Sequence, residues 1–86
     1  MNISVELTLT PLKDDFEPAI INFIKSLRSS GATMIETPLS TQVFGDYDII
    51  MKLLTEKIKP ALASIGNGLI HMKIVTSDRS DYEPNF

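Results

Sequence analysis

Residues 3–9 alternate Ile3, Val5, Leu7 and Leu9 with Ser4, Glu6 and Thr8, the two-residue period of a strand with one dry face and one wet face. A strand of this kind belongs in a sheet covered on one side only, so the rest of the chain has to supply a single apolar layer. Pro11 ends the run by removing an amide from the ladder. Farther along, Phe16, Ile20, Phe23, Ile24 and Leu27 recur at helical spacing, which marks an amphipathic helix. Asp14 or Asp15 is placed to cap it, Pro18 falls in its first turn and Gly31 closes it.

Residues 33–37 and 41–44 read as two further strands joined through 38–40, a hairpin. Asp46 then caps a second helix through Ile49, Ile50, Leu53, Leu54, Ile58 and Leu62, which Pro60 is predicted to kink or to end near Lys59. Gly66-Asn67-Gly68 breaks the pattern, and residues 69–76 alternate again as a fourth strand. The order βαββαβ predicts an α+β, ferredoxin-like sandwich. Right-handed crossovers give a four-stranded antiparallel sheet in the order 4-1-3-2 with two helices on one face. Ile3, Val5, Leu7, Phe23, Ile24, Leu27, Leu53 and Leu54 are the predicted core. Setting Ile35, Val43, Ile70, Met72 and Ile74 against the helices as well leaves Ser4, Glu6, Thr8, Met34, Glu36, Gln42, Phe44, His71 and Lys73 on the open face.

A chain of 86 residues buries only about 60–65% of its unfolded surface, enough for one core and not two. The expected organisation is one domain over residues 1–77 and a polar, mobile tail over 78–86. No cysteine is present, which excludes disulfides and thiolate chemistry. The first residues lack the basic and apolar regions of a signal peptide, and no apolar run approaches the roughly 20 residues that span a bilayer. A cytoplasmic protein without a membrane partner is the expectation. Of the net charge of −3, two units fall after Ser77, so the body is nearly neutral. A neutral body argues against a nucleic-acid partner, whose phosphates need a basic face.

The run Pro38-Leu39-Ser40-Thr41-Gln42-Val43-Phe44-Gly45-Asp46-Tyr47-Asp48 is the most specific stretch of the chain. Hydroxyls donate and accept, so Ser40 and Thr41 suit a small polar heterocycle, with Phe44 and Tyr47 as flat apolar neighbours. The same residues also suit local backbone bonds, strand packing and an N-cap at Asp46. An RNA-recognition sheet would carry several stacking aromatics on its first and third strands, where only Phe44 is found. A phosphate-cradling first loop needs glycine and arginine, and residues 11–15 contain neither. His71 is the sole histidine, too few for a metal site, and is placed to pair with Glu6 across strands. No catalytic constellation emerges, so neither an enzyme nor a cofactor is expected. Met34, Phe44 and Val75 on an uncovered sheet face would favour self-association.

In the pattern Val5-Glu6-Leu7-Thr8-Leu9-Thr10-Pro11-Leu12, the helix end Phe23 to Gly31, the run 38–48 and the stretch Met72 to Arg79, the chain resembles the thiamine-binding protein family, the YkoF-like domains. The resemblance implies a ferredoxin-like domain, assembled as a homodimer or homotetramer, that holds thiamine or its hydroxymethylpyrimidine part without transforming it. Ser40 and Thr41 match the hydroxyl pair of the family motif, and Phe44 stands where family members often carry Glu. The candidate ligand-binding set is Glu6, Thr8, Met34, Ser40, Thr41, Phe44 and His71, with Glu36 as a second acid toward a cationic ring. The expected function is a vitamin carrier or salvage accessory. The alternative is a homo-oligomeric regulatory or scaffold domain that binds only protein through its open face.

Overall fold

The computed structural model describes residues 1–85. Its elements are β1 (Asn2–Pro11), α1 (Glu17–Arg28), β2 (Thr33–Glu36), β3 (Thr41–Asp46), α2 (Tyr47–Ile65) and β4 (Gly68–Val75). All neighbouring strands are antiparallel and the sheet runs β2-β3-β1-β4, the order expected from the crossovers. Both helices lie on one side of it.

Register explains the core. Val5 stands opposite Val43 and Ile74, and Leu7 opposite Thr41 and Met72. Directly opposed residues point to the same face, so the helix side of the sheet is Ile3, Val5, Leu7 and Leu9 with Val43 beside them. Phe23 and Leu27 of α1 and Ile50, Leu54, Ala61 and Ile65 of α2 close over that row. Of the predicted core, Leu53 is only partly buried against this cluster, and Ile24 is half-buried beside a cavity.

β2 faces the other way from expectation. Met34 pairs with Val43 and Glu36 with Thr41, which puts both on the helix side, while Ile35 pairs with Gln42 on the open face. Four residues with apolar side chains on both faces carry no one-sided pattern of their own, so β3 dictates their register. Met34 accordingly packs against the core, and Glu36 takes Arg28 from the end of α1. Met72 and Ile74 do lie on the helix side, yet they stay 44% and 41% exposed because β4 is an edge strand that α2 covers incompletely.

The helix ends differ in their chemistry. Asp46 caps α2 as expected, its carboxylate accepting from the amides of Asp48 and Ile49. Neither Asp14 nor Asp15 caps α1. That helix starts beyond them with Phe16 at the cap position, and Pro18 has no amide to offer a carboxylate. α2 continues through Pro60 to Ile65 instead of ending near Lys59. Pro60 and Glu56, the residue whose carbonyl it leaves unpaired one turn back, are both exposed, so water can reach that carbonyl. Gly66, at φ 69°, ends the helix in the left-handed region.

The segment after β4 is anchored to the sheet. The Ser4 hydroxyl donates to the Ser77 carbonyl at 2.7 Å and accepts from the Arg79 amide at 2.8 Å. The expected free tail thus begins by crossing the open face beside β1.

Candidate functional site

Ser40 and Thr41 part company at the start of β3. Thr41 lies opposite Leu7 and turns to the helix side, where only 5% of it is exposed. Ser40, one residue earlier, turns to the open face and donates from Oγ to Oε2 of Glu6 at 3.0 Å. Oε1 of the same carboxylate lies 3.7 Å from Nζ of Lys73, its direct neighbour on β4. One carboxylate therefore joins a hydroxyl from the residue before β3 to an ammonium from β4.

The connection that delivers Ser40 is locked by Thr37. Its hydroxyl accepts from the amides of Leu39 and Ser40 and donates to the Ser40 carbonyl, and its own amide donates to that carbonyl as well. A side chain that replaces backbone partners in this way rigidifies a short turn. Thr37 is a positioning residue that strand patterning alone did not single out, although threonine three residues before a hydroxyl pair is a readable turn signal.

β1 runs past the first residue of β3, so Thr8 to Pro11 pair with β4 alone. The resulting notch holds a cavity of about 160 Å³. Leu7, Leu9, Ile20 and Phe23 form its apolar walls, and Thr8, Thr37, Ser40 and Thr41 complete the lining. No buried side-chain polar atom lacks a partner among the described residues. Thr41, whose hydroxyl makes no hydrogen bond among the described residues, is one of the residues that line this cavity.

A second cavity, about 230 Å³, lies on the open face on the other side of the Ser40–Glu6 bond. Phe44 and Val75 supply apolar surface, and Glu6, Gln42, Lys73 and Arg79 supply polar groups. Phe44 is only 3% exposed and is part of the cavity's floor, not a free aromatic wall. Of the expected set, Thr8, Ser40 and Thr41 meet at the notch, and Glu6 and Phe44 meet on the open face. Met34 lies across the sheet, under the helices, and takes no part. His71 stands on the open face opposite Thr8, outside both cavities, and Lys73 has the place beside Glu6 expected for it.

Two other expected partners are elsewhere. Glu36 is held by Arg28 through two hydrogen bonds of 2.6 Å, which lower its carboxyl below the usual range. Tyr47 sits at the far end of β3, its amide donating to the Met1 carbonyl at 2.8 Å. Among the described residues no three acidic or histidine side chains gather as metal ligands. No helix among them is long and apolar enough to cross a membrane.

No family model and no curated protein matches this chain. Solved structures do. A protein from Streptococcus pneumoniae superimposes with a TM-score of 0.82 at 28% identity, over 91% of this chain and 89% of that one. A Thermotoga maritima protein suggested to act in thiamine biosynthesis or salvage gives a TM-score of 0.81 at 19% identity, over 90% and 85% of the two chains. The domain of unknown function DUF77 from Bacillus cereus gives 0.71 at 14% identity, over 91% and 78%. At the lower identities the likeness is one of fold, and it places this chain among small ferredoxin-like α+β domains.

Proposed function

We propose that this chain is a non-catalytic binding protein for thiamine or its hydroxymethylpyrimidine part, of the YkoF-like kind, serving as a carrier or salvage accessory. The observation that carries the reading is the 3.0 Å contact between Ser40 Oγ and Glu6 Oε2 on the open face, with Thr41 lining the notch on the helix side. An aminopyrimidine offers an amino donor and ring-nitrogen acceptors. A carboxylate suits the first, and a hydroxyl donates to the second. The notch is well below the roughly 300 Å³ of a pocket for a drug-sized ligand, so its 160 Å³ suits one ring rather than a whole two-ring molecule. A thiazolium attached to that ring would lie outside the notch, with the Glu6 carboxylate as its counter-charge. The suggested thiamine role of the Thermotoga maritima neighbour supports the same reading.

Calorimetric titration with thiamine and with hydroxymethylpyrimidine tests it, using the parent and the Ser40→Ala/Thr41→Val double variant. Both substitutions keep a similar side-chain shape, so circular dichroism should be unchanged while affinity falls, by about 1–3 kcal/mol for each hydrogen bond lost in a buried site. Equal affinity in parent and variant would remove the site, and an absence of heat with both ligands would remove the function. Recovery of the ligand unchanged after prolonged incubation is the result expected of binding without turnover.

The scaffold alternative also has an observation in its favour. β4 leaves one edge of the sheet unpaired, and Met72 borders an apolar groove of about 330 Å³ along α2 with Met51, Ile58 and Leu62. Exposed edges and apolar strips favour a second chain. We propose self-association along this edge. Of the residues first expected at the contact, Phe44 is only 3% exposed and Met34 packs under the helices, away from this edge.

A further inference from the structure

The open-face cavity carries a charge balance that an amino-heterocycle alone does not use. One carboxylate, Glu6, faces two cations, Lys73 and Arg79. Glu6 is already engaged by Ser40 and by Lys73. Arg79 uses Nε on the Ser77 hydroxyl at 2.8 Å, and among the described residues it makes no ion pair. Both terminal nitrogens of its guanidinium are left for another acceptor. The neighbouring Asp78 carboxylate accepts from the Ser80 amide at 2.9 Å, within its own turn.

Arg79 is held in place by a buried group. Ser4 is 7% exposed, and its single hydroxyl bonds both the Ser77 carbonyl and the Arg79 amide. A hydroxyl on β1 that spends both its donor and its acceptor on the chain segment beyond β4 fixes where that segment crosses the sheet. The crossing brings Arg79 to the rim of a cavity floored by the apolar ring of Phe44.

We infer, resting on the ligand reading above, that the heterocycle is taken as a phosphate monoester, with the ring in the notch at Ser40, its amino group toward Glu6, and the phosphate in the open-face cavity between Lys73 and Arg79. Guanidinium presents paired donors that match a phosphate, and ammonium adds a point charge. Glu6 and Lys73 are direct cross-strand neighbours, so an amino group on Glu6 and an oxyanion near Lys73 are one short substituent apart. Ser4 is a positioning residue in this scheme.

The test compares hydroxymethylpyrimidine with its phosphate monoester, and with the same alcohol carrying a carboxylate in place of the phosphate, by calorimetry on the full chain. The monoester should bind at least tenfold tighter than the alcohol, and the advantage should shrink as salt is raised. Arg79→Ala should cut the ratio of the two affinities at least fivefold. Ser4→Ala should cut it too, with the amide resonance of Arg79 shifting in the NMR spectrum, a change that a merely local loss of packing at Ser4 would not couple to phosphate affinity. Equal affinities for alcohol and monoester would overturn the inference and leave the ligand reading standing. No binding of either would overturn both. A full monoester advantage in Arg79→Ala, or an equal gain with the carboxylate, would overturn the assignment of a phosphate to this cavity.

Discussion

Glu6 meets a hydroxyl and an ammonium at once, and under the proposed function its charge would distinguish a cationic ligand from a neutral one. Glu6→Gln keeps the shape and the capacity to bond Ser40, and loses the charge. Thiamine affinity should fall about tenfold, or about 1.4 kcal/mol, and that of the neutral pyrimidine by less; equal losses by calorimetry would mean that Glu6 acts only through hydrogen bonding. Glu36 illustrates a carboxylate with a different task. Hydrogen bonds from Arg28 lower its pKa and raise that of Arg28, and both side chains are solvent-accessible. A carboxyl depressed in the folded state adds stability that is present above the ordinary Glu value and lost as pH falls through the lowered one. Denaturation midpoints followed into acid should therefore decline less steeply in Glu36→Gln. A parallel decline in both proteins would show the pair to be energetically silent, as many exposed pairs are.

At the scale of elements, β1 is the central member, paired on both sides and buried along its helix-facing row. Leu7→Ala should leave a cavity between α1 and the sheet and cost about 2–5 kcal/mol in chemical denaturation; a loss on the scale of a surface substitution, below about 0.5 kcal/mol, would mean the strand faces the other way. The facing of β1 is legible because alternation over many residues admits one register only. β2 is too short, and too apolar on both sides, for its own residues to choose. The second helix shows a related limit. Pro60 predicts a break from local sterics, yet Ala61 and Ile65 beyond it are buried, and their packing holds the helix together across a missing hydrogen bond. Gly68 is required for a packing reason of its own. A Cβ there would stand 2.8 Å from the Thr10 carbonyl and 2.5 Å from the Ile65 side chain.

The whole molecule has a helix-covered face, a sheet face partly crossed by its own C-terminal segment, and an unpaired edge at β4. If that edge carries self-association, Met72→Asp should shift the sedimentation equilibrium toward monomer by setting an unpaired charge in a desolvated contact. A parent protein that sediments as a monomer at micromolar concentration would remove the proposal. Local patterns in the chain determined the number and order of elements, the sheet order, the dry face of β1 and the cap at Asp46, since each depends on periodicity or on neighbours a few residues apart. Tertiary structure alone decided that Ser40 meets Glu6 while Thr41 turns away, that Met34 lies under the helices, that Lys73 displaces His71 beside Glu6, and that Ser4 ties Arg79 to the open face. Those outcomes depend on strand register and on contacts between residues as far as 75 positions apart, and no local propensity encodes them.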